Sequence, residues 1–91
     1  AVPIDLFCLI DNIAILRMRQ LRLDEALKWV EISEEVSTNL HGKDRDRSLI
    51  YAACTRGEVD YLQGEYNQAE IHYRRAFDLA KHWECYAKPK K

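Results

Sequence analysis

The sequence predicts an all-α fold of two stacked antiparallel helical hairpins, and three observations predict it. Small and aromatic residues after Gly57 follow Gly57-x6-Gly64-x-Tyr66-x2-Ala69-x3-Tyr73-x2-Ala76, spacings that suit two helices joined by a tight turn. A weaker copy lies upstream, Leu21-x-Leu23-x2-Ala26-x3-Val30-x2-Ser33, with Ala14 aligned to Gly57. Around both copies apolar residues recur at intervals of three and four, the period of an amphipathic helix, so helices are expected near 5–20, 24–39, 47–63 and 67–83.

The first helix opens at Pro3 and Asp5, an ordinary helix start, and carries Leu6, Leu9, Ile10, Ile13, Leu16 and Leu21 as its expected apolar face. Asp24 is expected to cap the second helix, with Glu25 in its first turn and Glu31, Glu34 and Glu35 on its solvated side. Gly42 and the dense charge from Lys43 to Arg47 then read as a connector. In the third helix the stripe is Leu49, Ala52, Ala53, Gly57 and Leu62. Glycine inside a helix costs about 1 kcal/mol against alanine, so Gly57 implies close approach of a second helix. Gly64 suits a left-handed helix end, and Asn67-x-x-Glu70 reads as a capping box for the fourth helix. There Ala69, Tyr73, Ala76, Ala80 and Trp83 share one face, with small Ala69 and Ala76 admitting a neighbouring backbone and Tyr73, Phe77 and Trp83 filling the space beside them. Residues 1–91 are thus expected to form a single domain: repeat one about 5–40, charged connector 41–47, repeat two about 48–83 and a basic tail 84–91.

These residues resemble the tetratricopeptide repeat, a helix-turn-helix of about 34 residues with an alanine and aromatic pattern of this kind. The likeness covers roughly Ile50 to Lys81. It departs from the family at Arg56, where leucine is favoured, at Asp60, where tyrosine is favoured, and at Lys81, where proline is favoured. Ala26 to Ala69 is 43 residues, a lengthened repeat similar to those of kinesin light chain and of helical sensor arrays in bacterial regulators and signalling proteins. The resemblance implies a right-handed stack whose first helices line a concave groove for a peptide or partner helix. Carried over by spacing, that groove takes Cys8, Asp11, Ile15, Met18 and Arg19 from the first hairpin, and Tyr51, Cys54, Glu58, Tyr61 and Leu62 from the second. Family members that clamp a C-terminal carboxylate use lysine and asparagine at places occupied here by Asp11, Ile15, Cys54 and Glu58, so that activity is not implied. Asp11 and Glu58 instead favour a basic ligand, with tyrosines as anchors.

Composition narrows the function further. With 47% hydrophobic and 32% charged residues the chain reads as globular, and no apolar run is long enough to span a membrane. A net charge of −1 gives no general attraction for nucleic acid. The basic residues Arg17, Arg19, Arg22, Arg74 and Arg75 have acidic neighbours, and the tail lysines Lys88, Lys90 and Lys91 serve solubility. Three scattered cysteines, Cys8, Cys54 and Cys85, fit reduced, partly buried thiols and a cytoplasmic setting better than a disulfide framework. His82-x2-Cys85 offers two metal ligands without a second close pair, His41 and His72 being solitary, so no metal site is expected. There is no Gly-rich phosphate loop, nucleophile elbow or HExxH, and hence no catalytic residue or cofactor site.

The expected function is therefore non-enzymatic protein recognition or scaffolding, of the kind used in signalling. Arrays of this type need about three or more units to bury their faces, so an alternative is a self-associating piece of a larger array. A separate alternative rests on Ala1-Val2-Pro3-Ile4, which resembles the tetrapeptide by which pro-apoptotic proteins engage inhibitor-of-apoptosis domains through a free alanine ammonium and an extended backbone.

Overall fold

The structure, a computed structural model, describes the backbone of residues 2–87 and the side chains of residues 2–82. Four helices follow one another: α1 Ile4–Arg19, α2 Leu23–Ser37, α3 Gly42–Leu62 and α4 Tyr66–Ala87. Helix α1 packs on α2 and α3 on α4, while α3 also lies against both helices of the first hairpin. Among the described residues α4 meets α3 alone. The all-α stack expected from the sequence is the stack observed.

Both hairpins reverse by the same device. Leu21 and Gly64 take the left-handed conformation, with φ of 59° and 80°. The Leu21 and Gly64 amides donate to the carbonyls of Met18 and Tyr61, and the next amides, of Arg22 and Glu65, donate to Arg17 and Asp60. These reversed bonds satisfy carbonyls that the helix end would leave unpaired. The residue after the left-handed one already serves the next helix, since the Arg22 and Glu65 carbonyls accept from Ala26 and Ala69 at 2.9 Å. A link this short moves both second helices upstream of the expected starts. Arg22, not Asp24, precedes α2, and Asn67 lies inside the first turn of α4, past the position from which a side chain caps.

The connector is also shorter than expected. Helix α3 begins at Gly42, so the charged run to Arg47 is helical and largely exposed. Alternating charge on a solvated helix face accounts for it without a loop. At the other end α4 continues to Ala87, into the stretch read as tail.

Among the described residues two clusters make the core. Ala14, Met18, Ala26, Val30 and Val59 form one, flanked by Ile15, Leu23 and Trp29. Phe7, Leu40 and Ala52 form the other, flanked by Val2, Ile4 and Val36. Each large apolar side chain so buried contributes about 1.5–3 kcal/mol. Small residues stand where helices touch: Ala26, Ser33, Gly57, Ala69 and Ala76 are all buried. The hydroxyls of Ser33 and Ser37 are satisfied by carbonyls of their own helix at 2.7 and 3.0 Å.

Helix α1 corrects the expected stripe. Its inward residues are Phe7, Ile10, Ala14 and Met18, while Leu6, Leu9 and Leu16 face solvent. Two apolar stripes share this helix, and periodicity merged them. Phe77 likewise points outward instead of filling space inside its own hairpin.

At the start of the chain Pro3 precedes α1 and its carbonyl accepts from Leu6. Ile4 is already helical, and both it and Val2 pack against the second cluster, so this stretch serves as a helix start; Ala1 lies outside the described residues. Trp83, Cys85 and the tail lysines also fall outside the described side chains.

Candidate functional site

Helices α1 and α3 pack side by side, and most of the residues read as groove-lining are at least partly exposed on these two helices, although Ile15 also packs against the first core cluster and Glu58 and Cys54 lie near enough to Tyr73 of α4 to act on its hydroxyl. Cys8 and Arg19 on α1, and Tyr51, Glu58 and Leu62 on α3, are exposed, while Ile15 and Cys54 are half-buried. Asp11 and Met18 are not on that surface. Met18 belongs to the first core cluster, and Asp11 is 8% exposed against α3.

Asp11 marks the seam between the hairpins. Thr55 Oγ1 lies 2.9 Å from its Oδ1 and 3.0 Å from the Tyr51 carbonyl. One hydroxyl proton serves one acceptor at a time. A protonated Asp11 would donate to the threonine oxygen and free that hydroxyl for the Tyr51 carbonyl, satisfying all three groups. Burial pushes the Asp11 carboxyl above its ordinary range, the Thr55 hydrogen bond pulls it back, and the charge of Glu58 raises it further. Burial likewise raises the neighbouring Cys54 thiol, and the charges of Glu58 and Asp11 add to it. Glu58 is exposed, and its charge acts on both Asp11 and Cys54.

Two polar pairs brace this face from behind. The Arg56 guanidinium donates to both carboxylate oxygens of Glu34 at 2.7 Å, tying α3 to α2. Asp60 and His72 Nδ1 meet at 2.6 Å, tying α3 to α4. Glu34 thus has a structural partner and is not merely solvated, and His72 is not solitary. Of the arginines weighed for nucleic acid, Arg22 pairs with Glu25 and Arg74 with Glu70.

A second feature lies at the far end. Tyr61 of α3 and Tyr66, Ala69, Tyr73 and Phe77 of α4 line an open cleft of about 540 Å³, with Glu70 and Arg74 also contributing. The rings of Tyr61 and Tyr66 are 5.5 Å apart and tilted by 57°. Tyr61 therefore turns toward this cleft.

A sequence model of the tetratricopeptide repeat matches residues 5–82. The chain belongs to the tetratricopeptide repeat family. No curated protein and no solved structure gives a match. Repeats of this family mediate protein–protein interaction and scaffolding, and are typically non-enzymatic. Among the described residues no helix is long and apolar enough to cross a membrane. Nor do any three His, Cys, Asp or Glu residues among them come together as metal ligands. Cys8 and Cys54 are free thiols, Cys8 more exposed than expected.

Two departures from the tetratricopeptide repeat pattern have structural partners, Arg56 in Glu34 and Asp60 in His72. Sequence reading missed these pairs because their partners lie 22 and 12 residues away. It missed Val59, which is fully buried, because α3 is covered on two sides and no single stripe describes it. The 43-residue offset was the available signal, since it carries Val59 back to Leu16, another apolar position.

Proposed function

We propose that this tetratricopeptide repeat chain is a non-catalytic recognition module whose α1–α3 face takes a basic peptide or the basic face of a partner helix. The observation that carries the reading is the exposure of Glu58 between Tyr51 and Leu62, with the buried carboxyl of Asp11 close enough for their charges to interact. An ammonium or guanidinium group beside Glu58 would offset that acidic field, and Tyr51 and Leu62 supply apolar contact on either side. Asp11 and Met18 act from beneath, one through its field and the other by holding α1 in place. Ile15, Arg19 and Cys54 complete the surface, while Tyr61 contributes at its border with the far cleft.

An array of synthetic peptides, half lysine- and arginine-bearing and half acidic, tests this. The basic set should bind the wild-type chain, and Tyr51→Ala with Glu58→Lys should weaken that binding roughly tenfold or more with helicity unchanged. Equal binding of acidic and basic peptides, or unchanged affinity in the double variant measured by calorimetric titration, rejects the assignment. Tyr51 does not line the far cleft, whereas Tyr61 does, so the double variant leaves that cleft intact.

A further inference from the structure

The chain repeats at 43 residues, and that offset maps what α3 covers in the first hairpin onto residues of the second that line an open cleft among the described residues. Met18, Leu23, Ala26 and Val30 lie together in or against the cluster completed by Val59 of α3. Their equivalents are Tyr61, Tyr66, Ala69 and Tyr73, which line the open cleft. The first-hairpin site is filled by α3, and among the described residues its second-hairpin counterpart is open.

The helix that would fit is present at the other end. Moving back by the same offset, Ala52 and Val59, which α3 buries against the first hairpin, become Leu9 and Leu16 of α1. Both are exposed, at 63% and 50%, and Leu6 and Ile13 extend their stripe. The polar link between hairpins changes in step. Arg56 and Glu34 form an ion pair within the chain; their equivalents are Ile13 and Phe77, an apolar pair, and Phe77 is 64% exposed. Substituting both members of a pair by apolar residues keeps the two ends complementary, whereas changing one would leave a charge against a hydrophobe.

We infer that a second copy of this chain docks head to tail, its α1 leucine face seated in the Tyr61–Tyr66–Tyr73–Phe77 cleft as α3 sits on the first hairpin. Such a contact joins two unlike surfaces, and a heterologous contact of this kind, where it does not close into a ring, propagates beyond a dimer. The cleft shares Tyr61 with the border of the α1–α3 recognition face, but the inference uses neither Tyr51 nor Glu58, the residues on which the test of that face rests.

Sedimentation of the whole chain over a concentration series up to the millimolar range reads the assembly directly. The weight-average mass should climb from the 10.7 kDa of the monomer past twice that value without a plateau. Leu16→Glu and Phe77→Glu, both at exposed positions, should each hold the chain as a helical monomer. Mixed in equal amounts the two variants should form dimers and nothing larger, because one intact cleft and one intact leucine face remain between them. Leu9→Glu repeats the first arm should Leu16→Glu lose helicity. A wild-type chain that stays monomeric throughout overturns the inference. So does a mixture that stays monomeric, or association abolished by Phe77→Glu but untouched by substitution of the leucines, which would mean that cleft meets cleft.

Discussion

Gly57 makes room for the ring of Tyr73: a Cβ built on Gly57 would stand 2.8 Å from Tyr73 Cε1 and 2.9 Å from Cδ1. The equivalent pair in the first hairpin is Ala14 and Val30, both buried in one cluster, so a larger small residue there faces a smaller partner. Alanine at 57 would gain about 1 kcal/mol of helix propensity. Displacing an aromatic ring from its packed position costs about 1–3 kcal/mol, so the clash should win. Gly57→Ala is expected to lower stability by about 1 kcal/mol in the wild-type background and to raise it by a similar amount when Tyr73 is alanine. Denaturant unfolding of the four proteins in the cycle reads the coupling, and equal effects in both backgrounds would show that the ring imposes no constraint.

Leu21 occupies the turn position that Gly64 fills in the second hairpin, and it pays for a left-handed backbone without burying its side chain, which is 72% exposed. That conformation costs an L-residue roughly 1–2 kcal/mol. Leu21→Gly should therefore stabilise the chain by about 1 kcal/mol after the added freedom of the unfolded state is counted. For a domain of this size the melting temperature would rise by about 4–8 °C. Gly64→Ala should do the reverse by a similar amount, and a thermal melt of each variant decides the matter.

The two hairpins were legible in the sequence because small residues mark where helices touch. Gly57, Ala69 and Ala76 read as contact points and are buried, and Leu21, which aligns with Gly64, shares its left-handed backbone. What could not be read was which of two apolar stripes on α1 turns inward, since Leu6, Leu9 and Leu16 satisfy a helical period as well as Phe7, Ile10, Ala14 and Met18 do. Capping residues misled for a related reason. Asp24 and Asn67 look like caps, but the left-handed turn hands the chain to the next helix within two residues, before either is reached. At the candidate site, the spacing carried over from the family resemblance points to Tyr51 and Glu58, whereas the hydrogen bond that Asp11 accepts comes from Thr55, 44 residues away.

Asp11 should leave a signature in the pH dependence of stability. Its folded pKa lies above the ordinary value of 3.8, so the native state holds the proton more tightly than the unfolded chain does. Between the unfolded and the raised folded value, stability contributed by this group rises as pH falls, and above the folded value the ionised carboxyl is a constant penalty. Asp11→Asn removes the ionisation while keeping an oxygen for Thr55. The variant should gain on the wild type as pH rises from about 4 toward neutrality, and the gap should close on acidification. Unfolding free energies measured in parallel at several pH values test the sign, and a gap that does not change with pH would mean that Asp11 titrates normally.

The Arg56–Glu34 pair is the polar tie between α2 and α3, with two hydrogen bonds of 2.7 Å and side chains 22% and 33% exposed. Removing the cation alone leaves a partly covered carboxylate without its donors, so Arg56→Leu should cost about 1–3 kcal/mol even though leucine is the residue the family favours there. Replacing both partners avoids that penalty. Arg56→Leu with Glu34→Met should come out less destabilised than Arg56→Leu alone, close to the wild type, because the desolvation of both charges is relieved together. Salt separates the pair from its packing, since screening weakens a partly exposed ion pair and should shrink the cost of the single substitution. Urea unfolding of the wild type, both single variants and the double variant, at low and high ionic strength, gives the coupling; a double variant as unstable as the sum of its singles would show that Arg56 and Glu34 act independently.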